Sequence, residues 1–75
     1  MSFGRNLQYL RRLSGNMTQE DLAKRLGVKN PAVSKWERGM AYPSMNTAIE
    51  MAGLFQVSLD VVLGLAPIPR NEETA

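Results

Sequence analysis

Apolar side chains recur along this chain at intervals of three and four, the spacing that lines one face of an α-helix. Phe3, Leu7, Leu10 and, at the end, Leu13 mark a first helix, with Ser2 as its cap and Gly15-Asn16 as the break after about Ser14. Leu22, Ala23 and Leu26 mark a second, opened by Thr18 with Asp21 three residues on, a capping box with Asp in place of Glu. Met17 and Leu22 are spaced as a hydrophobic staple across that helix start. Gly27 ends the helix, where a left-handed residue is wanted, and Val28 plugs the turn. Val33 and Trp36 are the inward stripe of a third helix that closes at Gly39, leaving Asn30, Ser34, Lys35 and Arg38 outward.

Beyond Met40 to Pro43, Ser44 caps a fourth helix whose core stripe reads Met45, Ala48, Ile49, Ala52 and Phe55. Gln56-Val57 breaks it, and Ser58 caps a short fifth helix that ends at Gly64; Val57 and Val62 form a second staple-like pair. The pattern predicts an all-α fold: five short helices around one small core in residues 1–65. Residues 66–75, rich in proline and charge and without periodicity, read as a mobile tail.

Composition narrows the chemistry. The 75 residues contain no cysteine and no histidine, so disulfides, zinc fingers and the commonest general base are all excluded. The carboxylates are scattered over different helices and no nucleophile has a base beside it, so no catalytic set, metal site or cofactor is expected. No apolar run approaches the ~18 residues of a membrane span, and the start lacks the apolar middle of a signal peptide. The net charge of +2 is unevenly placed: residues 1–39 hold eight Lys and Arg against three acids, residues 40–75 one against four. A basic half suits a polyanionic partner.

The stretch TQEDLAKRLGVKNPAVSKWERG, residues 18–39, resembles the helix-turn-helix of the Cro/repressor-type family, the phage-repressor-like DNA-binding domains. The similarity continues through Pro43, Ala52, Val57-Ser58 and Leu63-Gly64 and covers nearly all but the last ten or so residues. It implies a regulator, most simply a repressor, that binds a palindromic operator in double-stranded DNA as a cytoplasmic homodimer, with no small-molecule ligand evident. The third helix would enter the major groove with Asn30, Pro31, Ser34 and Lys35 toward the bases. Asn30 has a competing role as cap of its own helix, because Pro31 biases it away from helical angles and the usual cap position holds Lys29.

The resemblance gives phosphate contacts to Thr18 and Gln19 at the second helix's start, and to Arg38, the backbone near Met40, and Tyr42 beyond the third. It also implies a structural ion pair between an Arg of the first helix and Glu37, assigned here to Arg12, with Arg11, Lys24 and Arg25 left on solvated faces. Leu54, Leu65 and Ile68 fit no core stripe and Leu59 fits one poorly, so these four are candidates for a dimer surface. The acidic, leucine-bearing second half keeps an alternative open: an antitoxin or regulatory module whose main partner is a protein.

Overall fold

The helices close on one another through a short list of contacts that set where the outward face of the third one points. The computed structural model of the chain describes residues 3–68, and all regular structure among them is helical. The elements are α1 (Phe3–Leu13), α2 (Gln19–Leu26), α3 (Asn30–Glu37), α4 (Met45–Phe55) and α5 (Leu59–Val62). None is long and apolar enough to cross a membrane. The expected cap Ser2 and residues 69–75 of the expected tail lie outside the described residues.

Phe3, Leu7 and Leu10 of α1 meet Leu22, Ala23 and Leu26 of α2, Val33 and Trp36 of α3, Met51 and Phe55 of α4, and Val61 and Val62 of α5. Met17 joins this core just ahead of α2, so both staple residues are buried. Thr18 accepts from the Asp21 N–H at 3.0 Å and donates its own N–H to Asp21 Oδ2 at 3.1 Å, the reciprocal capping box. Ser44 and Ser58 cap α4 and α5 through the N–H groups of Thr47 and Val61, each at 3.2 Å. Asn6, buried at 1% exposure, donates Nδ2 to the Val61 carbonyl at 3.0 Å and ties α1 to α5. Sequence spacing gave no hint of that polar tie.

The core face of α4 differs from the expected stripe. Met45 and Ile49 are 59% and 53% exposed, whereas Met51 is fully buried. The inward row is Ala48, Met51, Ala52 and Phe55, in which Ala48 is three residues from Met51 and four from Ala52, and Phe55 is four and three beyond them; Met45 and Ile49 lie one helical row round from it. Leu13, at the end of α1, is also exposed. Ala66 and Ile68, which the sequence placed in the tail, are partly buried against the core. Their apolar side chains have a surface to cover, and proline nearby does not prevent it.

Candidate nucleic-acid interface

The α2–α3 unit is built by local chemistry at both ends of the turn. Gly27 adopts left-handed angles (φ 69°, ψ 29°) and its N–H bonds the carbonyls of Ala23 and Lys24, while Val28 N–H reaches the Ala23 carbonyl at 3.0 Å. A Cβ at position 27 would be disfavoured there by its own backbone, which is why glycine ends the helix. Val28 is half-buried against the core and plugs the turn.

On α3, Val33 and Trp36 are buried, at 0% and 5% exposure, and face the scaffold. Asn30, Pro31, Lys35 and Arg38 are exposed and Ser34 is half-buried, so these five share the outer face. The cap ambiguity at Asn30 is resolved by the backbone: the N-cap is Lys29, in an extended conformation and without a side-chain cap bond. Asn30 is the first helical residue and Pro31 the second. The Asn30 amide is therefore not occupied as a cap. Lys29, Lys35 and Arg38 make this face basic, with Lys24 and Arg25 exposed on α2 as expected.

At the start of α2, Thr18 is exposed and Gln19 half-buried. The first-turn N–H groups of Gln19 and Glu20 have no partner within the helix, as helix geometry requires, and the dipole there favours an anion. Asp21 shares that end. Its carboxyl is held below the ordinary 3.8 by the hydrogen bonds from the Thr18 backbone and hydroxyl, so it stays ionised as part of the cap. Glu20 and Lys24 approach to 3.9 Å on the open surface, a contact worth little.

Beyond α3 the picture changes at Met40. Its N–H bonds the Lys35 carbonyl at 2.9 Å, while the Gly39 N–H bonds the Trp36 carbonyl at 3.1 Å, so in the backbone near Met40, expected to meet a phosphate, these two N–H groups close the helix. Carbonyls at a helix end need partners, and the chain's own N–H groups are nearest. Arg38 is exposed, with Nε 3.4 Å from the Ser34 carbonyl. Tyr42 is 72% exposed and rests its ring on Phe3, centroids 5.3 Å apart.

The ion pair at Glu37 is made by Arg11, not by Arg12. Arg11 Nε lies 2.6 Å from Glu37 Oε2 and Nη2 3.1 Å from Oε1, with side chains 10% and 4% exposed. Arg11 Nη1 also donates to the Met17 carbonyl at 2.6 Å, and Gln19 Nε2 donates to Glu37 Oε1 at 3.0 Å. Arg12 is exposed on the outer side of α1. The reason is angular: Arg11 follows Gly4 by seven residues, two turns of helix, and both flank the Leu7–Leu10 stripe on the side of α3, whereas Arg12 is a further ~100° round. Gly4 itself is the other residue that spacing overlooked, since a Cβ there would lie 2.5 Å from the Glu37 carbonyl oxygen.

The four candidate dimer residues separate. Leu65 is 76% exposed, Leu59 is half-buried, and Leu54 and Ile68 are partly buried against the core. Ile68 and Leu54 are thus engaged within the chain.

Two short helices joined by a tight turn, the second anchored by its inner face and bare on its outer one, define a helix-turn-helix domain. The chain belongs to the helix-turn-helix family, whose model matches residues 7–62. It is 43% identical over 63 residues to the HTH-type transcriptional activator BcrR of Enterococcus faecalis, covering 84% of this chain and 30% of that one. It is 32% identical over 74 residues to the HTH-type transcriptional regulator ImmR of Bacillus subtilis, covering 99% and 58%. The chain thus spans between about a third and somewhat over half of these relatives' length. The crystal structure of a transcriptional regulator from Listeria innocua superposes with a TM-score of 0.79 at 25% identity, covering 97% of this chain and 67% of that one.

Proposed function

We propose that this chain is the DNA-binding part or whole of a transcription regulator, placing α3 in the major groove of double-stranded DNA. One observation carries the reading: α3 is fixed by Val33 and Trp36 while Asn30, Pro31, Ser34 and Lys35 stand together on its open side. An Asn amide is matched to adenine N6 and N7, a Lys to guanine O6 and N7, a hydroxyl to either, and Pro31 to a thymine methyl. Thr18 and Gln19 at the start of α2, with Arg38 and the Tyr42 hydroxyl beyond α3, would hold the phosphates on either side. In this reading the protein works where its DNA is, in the cytoplasm.

A domain this small makes few contacts, and two copies reading a palindrome double them. We therefore take the functional unit as a homodimer on a symmetric operator, with Leu65 and Leu59 the better placed of the four apolar candidates. Repression is the simplest outcome of occupying such a site. The exposed Met45 and Ile49, neighbours on α4, favour a second reading in which the main partner is a protein, as for an antitoxin or regulatory subunit.

Selection of bound sequences from random duplex DNA tests both. A palindromic consensus whose affinity falls steeply with salt supports the dimeric regulator, since neutralised phosphates release counterions. No enriched duplex, or affinity indifferent to salt, overturns it and leaves the protein-partner reading.

A further inference from the structure

Glu37 lies at the end of α3 with its side chain 4% exposed, and its carboxylate accepts from Arg11 Nε, Arg11 Nη2 and Gln19 Nε2. The two bonds from Arg11 form a bidentate pair that neutralises the buried charge. The third bond adds nothing to that neutralisation. Its effect is on Gln19. A Gln amide has two ends of nearly equal size, one donating and one accepting, and at the open start of a helix either can turn inward. An ionised carboxylate only accepts, so it can face only the –NH2 end. Glu37 therefore decides which end of the Gln19 amide is inward. It leaves the second amide proton and the carbonyl oxygen for whatever meets the protein from outside.

The geometry points to Glu37 as a positioning residue for Gln19: a carboxylate on the groove-facing helix holds the backbone-contacting amide of α2 in one orientation before DNA arrives. This rests on the DNA-binding reading above. Arg11 completes the device, because the same guanidinium that orients Glu37 also holds the Met17 carbonyl, one residue before the Thr18 cap. The start of α2 and the end of α3 are thus tied through one buried pair. A phosphate anchor and a reading helix joined in this way keep a fixed separation, which is what a contact spanning one groove needs. The ordering of a long polar side chain is met during folding rather than on binding.

The test has two arms. In the free protein, the side-chain amide resonances of Gln19 should show a hydrogen-bonded, unequal proton pair, with Gln8 and Gln56 as internal references. In Glu37→Gln, or in Glu37→Asp if the former does not fold, that signature should collapse toward the references. In the second arm, duplex affinity is measured for the wild type, Gln19→Met, the Glu37 variant and the double variant, each corrected for folded fraction by circular dichroism. The Glu37 variant should weaken binding by about two- to tenfold, the factor for ordering one such side chain, and that loss should vanish in the Gln19→Met background. An equal loss in both backgrounds would mean that Glu37 acts only through the fold, and would overturn the assignment. So would a Gln19 amide pair indistinguishable from Gln8 and Gln56 in the wild type. A wild-type chain that bound no duplex would overturn the DNA reading and with it this role for Gln19, while the resonances would still report whether Glu37 holds the side chain.

Discussion

Gly4 of α1 lies directly against the last turn of α3: a Cβ built on it would sit 2.5 Å from the Glu37 carbonyl oxygen and 2.9 Å from that of Trp36. Both atoms are backbone, so neither can swing aside. The absence of a side chain at position 4 is what lets α1 approach closely enough for Arg11, two turns later, to reach Glu37.

Gly4→Ala is therefore expected to destabilise the domain by about 1–3 kcal/mol, as other insertions into a tight contact do, despite the better helix propensity of alanine. Gly53→Ala, in α4 with nothing within 4 Å of the new Cβ, should stabilise it by about 0.5–1 kcal/mol. Denaturant melts of the two variants should move in opposite directions. A Gly4→Ala protein as stable as the wild type would show that the helices can part at no cost.

Exchange of the two neighbouring arginines separates the buried from the exposed one. Arg11→Met should cost about 3–5 kcal/mol, because it leaves the Glu37 carboxylate buried without its countercharge. Arg12→Ala, at an exposed position, should stay within about 0.5 kcal/mol of the wild type. Thermal unfolding of each distinguishes the partners, and a severe Arg12→Ala with a mild Arg11→Met would reverse the pairing.

The capping box gives a pH dependence of known sign. The folded-state pKa of Asp21 is lowered from 3.8 by the Thr18 bonds, so its contribution is fully present above that value and is lost as pH falls through the lower, folded one. Asp21→Asn should thus be less stable than the wild type at neutral pH, and the gap should narrow below about pH 4. Paired melts across pH 2 to 7 read it directly; a gap that widened in acid would show that Asp21 is not held ionised by the cap.

Specificity tests the register proposed for α3 in the major groove. Lys35→Ala should weaken a selected duplex more than a random one, by roughly 1–3 kcal/mol, and relax preference at one base pair of each half-site. Gln19→Ala should weaken both alike, since phosphates carry no sequence directly. Binding curves on the two duplexes for each variant decide it. If Lys35→Ala lowered both equally while Gln19→Ala erased discrimination, α3 would sit in the groove in another register.

Local chemistry is legible in the sequence. The Thr18–Asp21 box, the Gly27 turn, the serine caps of α4 and α5, and the inward Val33 and Trp36 each depend on residues within one or two turns. Short-range hydrogen bonding and helical periodicity act on the sequence itself, so five helices and the outward set on α3 could be read from order alone. The roll of one helix against another is a different matter. It placed Met51 inside and Met45 and Ile49 outside, because apolar residues occupy more of the circumference of α4 than the core covers, and its packing against α5 and α2 decides which of them are buried.

The same holds at the candidate interface. Which arginine meets Glu37, whether Asn30 or Lys29 caps α3, and whether the Met40 N–H faces outward are decided by residues that are neighbours in space or by how a helix end satisfies its own backbone. Arg11 and Arg12 are chemically identical and adjacent, so composition cannot choose between them. The choice belongs to the close crossing of α1 on α3 at Gly4, a contact between residues over thirty apart in the chain that exists only once the core has formed.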